Sequence, residues 1–205
     1  MSESYYDSVN QRVEFADEYL TELKQFMDSL SLAQVANVIG YLVEAYREKK
    51  QVFIIGNGGS AATASHMACD LGKNILPKEG KETARRFRVM ALTDNVSWMT
   101  ALANDLGYEH IFSEQLKNLV QEGDLVIAIS GSGNSLNIVE GVQVSKSRGA
   151  RVVGILGFDG GKLAKIVDAS VIVSSRKYGY IEDVHMIIDH LITGYFQRIV
   201  MNVEA

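Results

Sequence analysis

An almost unbroken apolar run over residues 124–129 ends in Ser130-Gly131-Ser132-Gly133-Asn134-Ser135 and passes at once into a helical pattern reaching about residue 148. Such a run fits a parallel strand buried on both faces, because only a sheet covered on each side removes the need for polar alternation. Glycine lets the backbone come close to a ligand, and the first turn of a helix leaves N–H groups without intrahelical partners. The serine hydroxyls add donors, so the turn predicts a preformed cradle for an anion, with a monophosphate ester on a small metabolite as its occupant. A serine-capped helix after a glycine turn also occurs without any ligand, and the motif alone does not separate the two.

The same punctuation occurs upstream, where a strand over 51–55 breaks at Gly56-Asn57-Gly58-Gly59-Ser60 and a helix follows over 60–71. Further strands are predicted at 88–92, 151–156 and 169–173, each trailed by helix, after two N-terminal helices over 8–29 and 32–49. The last helix, 181–200, is predicted to bury Val184, Ile187, Ile188, Leu191, Ile192, Tyr195 and Phe196. Strands alternating with helices predict an α/β fold: a doubly wound, mainly parallel five-stranded sheet with helices on both faces. The whole chain, 1–205, reads as one domain with a helical N-terminal extension over residues 1–50. In such folds ligands bind beyond the carboxyl ends of the strands, where both glycine-serine turns fall.

Composition narrows the partners. A net charge of −5 argues against a nucleic-acid binder, which carries a basic stripe. No apolar stretch approaches the ~20 residues needed to span a bilayer, and the N-terminus lacks the basic and apolar regions of a secretory signal, so no membrane partner is expected. The single cysteine, Cys69, suits a reducing cytoplasm. One basic segment, 78–88, carries Lys78, Lys81, Arg85, Arg86 and Arg88; it reads as a solvated connection or subunit contact that could also concentrate an anionic substrate. The first turn formally matches the dinucleotide fingerprint, but no acid stands about 20 residues further on, and no nucleoside-triphosphate loop is present. No nucleotide cofactor is expected.

His66 and Asp70 are four apart, so they share one helix face, and the helix start would place them near the strand ends. Glu182 and His190 are eight apart, roughly 80° around a second helix, with His185 and Asp189 between them. Two histidines and two carboxylates on two helices form a plausible zinc set, with a hydrogen-bonded interior histidine and surface carboxylates as the plainer alternative.

The two glycine turns, His66, Asn104-Asp105, Asp159-Gly160-Gly161-Lys162 and the Glu182–His185–His190 stretch together resemble the sugar isomerase (SIS) family, and within it the phosphoheptose isomerases. The resemblance implies an aldose–ketose isomerase converting sedoheptulose 7-phosphate to D-glycero-D-manno-heptose 7-phosphate. It implies that Ser130, Gly131, Ser132 and Ser135 hold the phosphate and that Asn57, Gly58, Gly59, Ser60, Asn104 and Asp105 line the sugar. His66, Asp70, Glu182 and His190 match the positions of one Zn2+ per subunit, and Asp70 and His190 match the acid–base pair, with Glu182 a second candidate base. It further implies homotetramers with sites built between subunits. Three departures stand out: Asp70 replaces the family's usual Glu, Glu182 its Gln, and Gly131 its Thr; residues 176–180 are also shortened. A non-catalytic SIS protein that binds a replication initiator or senses sugar phosphates is the alternative; the ionisable groups kept at Asp70 and His190 favour the enzyme.

Overall fold

The structure is a computed structural model describing residues 8–77 and 85–203. Five strands, β1 (Gln51–Gly56), β2 (Arg88–Ala91), β3 (Leu125–Ser130), β4 (Arg151–Gly157) and β5 (Ala169–Val173), form one sheet in the order β2-β1-β3-β4-β5. Every pairing is parallel. Each strand lies within a residue of its predicted bounds; β1, β3 and β4 are buried along almost their whole length, whereas the edge strand β2 is largely exposed and β5 alternates between buried and half-buried residues.

The helices are α1 (Val9–Asp28), α2 (Leu32–Arg47), α3 (Gly59–Cys69), α4 (Val96–Asp105), α5 (Ser113–Leu119), α6 (Leu136–Ser147) and α7 (Tyr178–Val203). Side chains alternate across the sheet, so Val52 and Ile54 of β1 meet α2, α3 and α7, while Phe53 and Ile55 meet α5 and α6. α2 belongs to that first layer, with Val35, Val38, Leu42 and Tyr46 buried against the sheet. α1 begins in a capping box between Ser8 and Gln11 yet buries no residue. It rests on α7 through Tyr19, whose hydroxyl donates to Asp183 Oδ2 at 2.6 Å, and through Glu22, which accepts from Lys177 and Tyr180. That hydrogen bond, with burial and the Asp183 charge adding to it, pushes the Tyr19 phenol up to about 12.

Two expectations need correction. α7 buries a single stripe, Ile181, Val184, Ile188, Ile192 and Phe196; Leu191 and Tyr195 fall off it and are 39% and 41% exposed, and Ile187 is half-buried. In the basic segment, residues 78–84 lie outside the described residues, while Arg85 and Arg88 donate to the carbonyls of Arg47, the last residue of α2, and Lys49, just past it. Those cations serve a helix C-terminus at the edge where β1 and β2 begin, opposite the glycine turns. Among the described residues no single helix is long and apolar enough to cross a membrane.

The strand order explains where a ligand can enter. From β1 the chain moves one way to β2, and from β3 it moves the other way to β4, so the turns after β1 and β3 flank the topological switch point.

Candidate active site

The second turn is held in shape from behind. Gly133 adopts φ +64°, and a Cβ there would lie 2.0 Å from the Gly160 carbonyl oxygen, so only glycine fits. Leu163 N–H donates to the Gly133 carbonyl at 3.0 Å, and Lys162 N–H donates to Asn134 Oδ1 at 3.1 Å. Ser130 Oγ accepts from Gly133 N–H and Ser132 Oγ from Asn134 N–H, which leaves both hydroxyl protons available to donate. Ser135 precedes α6 without a side-chain cap bond, so its hydroxyl is also uncommitted.

The first turn is clasped to the second. Asn57 and Asn137 exchange amide hydrogen bonds at 2.9 and 2.8 Å, and Tyr108 donates its hydroxyl to Asn57 Oδ1 at 3.0 Å. Asn57 therefore holds the two walls together. A cleft of about 160 Å³ gathers Ser130, Gly131, Ser132 and Ser135 with Ser60 and Asn57, beneath Tyr178 and Glu182 of α7. Pockets that enclose a whole small ligand usually measure ~300–1,000 Å³, so this one takes an end of a molecule. A Cβ on Gly131 would lie 2.7 Å from Tyr178 Cε1, so the Gly at this position and the Tyr178 ring go together. Gly58 precedes α3 and Gly59 opens it; a Cβ on Gly59 would meet the Glu182 carboxylate at 2.4 Å. Asn104 and Asp105 lie exposed at the end of α4, bonded to each other at 2.7 Å and outside the cleft.

A second cluster lies on the seam where α3 packs beside α7. The two helices run in the same direction, since Gly59 meets Glu182 and, further along both, His66 meets His190. The Nε2 atoms of His66 and His190 are 3.1 Å apart, and His66 Nε2 is 3.6 Å from Asp70 Oδ2. Asn74 donates to Asp70 Oδ1 at 2.5 Å from the far side of a π-helical turn, Asp70–Asn74, itself pinned to α7 by Gln197. Such outer partners fix the orientation of a ligating carboxylate. Ser65, next to His66, bonds to Thr93 in the turn after β2 at 3.1 Å, so this end of α3 lies beside the carboxyl end of that strand. With a rise of 1.5 Å per residue, His66 lies about 10 Å along α3 from Gly59.

The fourth member of the cluster, and its second acid, is Asp189. One ligand atom from each of His66, Asp70, Asp189 and His190 lies within 4.8 Å of the other three. Two imidazoles and two carboxylates are a donor set that zinc takes. Glu182 is not in this group. Asp189 is fully buried, and neither oxygen has a hydrogen-bond partner. Burial pushes its carboxyl up to about 7, the Asp70 charge adds to the rise, and the Thr193 hydroxyl opposes it. One helical turn before it, His185 is fully buried and pushed down to about 4 by desolvation, against a backbone contact to Leu156. Sequence reasoning noted Asp189 without assigning it a role; a lone acid between Ile187, Ile188 and Leu191, seven residues after Glu182, was the available signal. Tyr178, Asn137 and Asn74 carried no such signal.

A model of the SIS domain matches residues 14–157. The phosphoheptose isomerase of Nitratiruptor sp. is 37% identical over 150 residues, covering 73% of this chain and 78% of that protein. That of Rhodospirillum rubrum is 36% identical over 162 residues, covering 78% and 82%. The solved phosphoheptose isomerase GmhA of Neisseria gonorrhoeae matches with a TM-score of 0.83 at 27% identity, over 93% of this chain and 100% of that one. Likeness at this level over most of the chain, on a sheet wound in the same way, has one meaning: the chain belongs to the SIS domain family and groups there with the phosphoheptose isomerases.

Proposed function

We propose that the protein isomerises a phosphorylated ketose to its aldose, with sedoheptulose 7-phosphate as substrate and D-glycero-D-manno-heptose 7-phosphate as product. The observation that carries this reading is the shared α3–α7 seam, which has the hydroxyl cleft at one end and the imidazole–carboxylate cluster further along. From Ser60 to His66 is about 9 Å along α3, and from Glu182 to His190 about 12 Å along α7. Eight bonds separate C1 from phosphorus in this substrate. Extended, at about 1.2 Å advance per bond, they span about 10 Å.

The chemistry follows from that placement. Ser130, Ser132 and Ser135 donate to the phosphate, and charge-assisted hydrogen bonds of roughly 1.5–3 kcal/mol each fix the remote end of the sugar. Asp70 takes a proton from C1 and returns it to C2 across the enediolate. His190 delivers a proton to O2 and takes back the one that O1 gives up, so the sugar's composition and the enzyme's protonation are both unchanged. Zinc held by His66, Asp70, His190 and a carboxylate of α7 would supply Lewis-acid polarisation of the carbonyl. Asn74 and His66 keep Asp70 oriented towards the reacting carbons.

The reading extends to assembly. The chain acts as one SIS domain in a homotetramer, with Asn104 and Asp105 reaching a neighbouring subunit's site. Support comes from α1, whose Val9, Val13, Phe15 and Leu20 are each more than 60% exposed, and from Val96 and Leu106 on and beside α4. The test is to add sedoheptulose 7-phosphate to the purified protein and follow aldose formation. Absence of turnover with every ketose or aldose phosphate tried, with and without zinc, overturns the proposal.

A further inference from the structure

We propose that the second carboxylate of the metal centre in this chain is Asp189, and that Glu182 stays beside the cleft as a sugar-binding group; the inference rests on the metal-assisted reading above. Zinc bound to nitrogen and oxygen at about 2.0–2.2 Å in a tetrahedron holds its donors about 3.4 Å apart. Two separations inside the cluster, 3.1 Å between the imidazoles and 3.6 Å from His66 to Asp70, lie on either side of that value. Asp189 offers the remaining oxygen within the same 4.8 Å group.

Burial makes the case independently. A carboxylate removed from water without a hydrogen bond is costly, and Asp189 has both oxygens unpartnered at zero exposure, beside a second acid. A cation shared with Asp70, His66 and His190 satisfies that carboxylate and gives the facing Nε2 lone pairs a common acceptor. Glu182 has no such need. It is half-buried, lines the hydroxyl cleft, and rests against the Cα of Gly59. Seven residues separate it from Asp189, so at 100° per residue the two acids share one stripe of α7 about 10 Å apart. One metal cannot take both with these side-chain positions, and the histidines are with Asp189.

The experiment titrates metal-free protein with Co2+, then displaces it with Zn2+, for wild type, Asp189→Asn and Glu182→Gln. Stoichiometry, affinity and the visible cobalt spectrum are read, with circular dichroism confirming the fold. Expected are one Co2+ per wild-type chain, at least tenfold weaker binding with a changed spectrum for Asp189→Asn, and binding within twofold with an unchanged spectrum for Glu182→Gln. The reverse order overturns the inference. Should Asp189→Asn not fold, zinc-edge X-ray absorption of wild type and Glu182→Gln decides: an altered ligand shell in Glu182→Gln overturns it, and an identical one supports it. A wild type that binds neither metal overturns the centre as a whole. Turnover in excess chelator tests the isomerase reading separately.

Discussion

Glu182 lies with its carboxylate against the Cα of Gly59, so close that a β-carbon there would come within 2.4 Å of Oε1. Gly59→Ala is expected to turn Glu182 away while leaving the fold intact, because the obstructed atoms are the far end of a flexible side chain. Thermal stability should change by no more than about 1 kcal/mol, in the range of substitutions away from the core. Turnover should fall at least tenfold. Unchanged kinetics would show that the position of Glu182 is of no consequence.

His190 is exposed and meets the His66 ring edge to face. His190→Gln should therefore preserve folding and assembly while removing a proton donor, a change that typically lowers rate by about 10²–10⁴-fold. Steady-state turnover of the ketose phosphate, beside size-exclusion chromatography, measures both. Activity within a few fold of wild type would remove this side chain from proton transfer.

Ser135 is the cleanest probe of the cradle, since its hydroxyl caps nothing. Ser135→Ala should lower kcat/KM by roughly tenfold or more, the equivalent of one charge-assisted hydrogen bond. Inorganic phosphate should compete with substrate in wild type and compete less well in the variant. Equal inhibition of the two would place the phosphate elsewhere.

Two buried groups on α7 give opposite dependences of stability on pH in the metal-free protein. His185 is held down to about 4 in the folded state against 6.5 when unfolded. As pH falls from 6.5 towards 4 the unfolded chain gains the proton first, so its contribution is lost, by up to about 3 kcal/mol. Asp189 is raised to about 7 from 3.8, so the folded chain takes its proton first, and stability rises as pH falls through 7. The two oppose each other between about 4 and 6.5. In Asp189→Asn the histidine acts alone, and urea denaturation should show stability declining from pH 6.5 to pH 4. A level profile in that variant would contradict the histidine's burial.

Much of this was legible from residues alone. The strands were, because Leu125 to Ile129 and Val52 to Ile55 are short runs without a polar residue, rich in β-branched side chains and ended by glycine turns. The glycine-serine turn between β3 and α6 was too, because Gly133 and the serines punctuate an apolar run just where a helical pattern begins. The partition of acids between cleft and cluster was not. Whether Glu182 or Asp189 meets His66 depends on how far α7 slides along α3, and no periodicity within α7 encodes its register against a neighbour. The clasp of Asn57 to Asn137, eighty residues away, has no local signature in the sequence. Leu191 and Tyr195 were read as core because composition does not distinguish a buried stripe from an apolar face left open.

On the proposed reading, the seam between the two parallel helices would act as a ruler. A phosphate anchored at Ser130 to Ser135 would deliver to the imidazoles whichever atom lies about ten ångströms down its chain, and a pentulose phosphate, two bonds shorter, would stop about 2.4 Å short. Selection by sugar length would then be set by a residue count along α3 and α7, with no hydroxyl needing individual inspection.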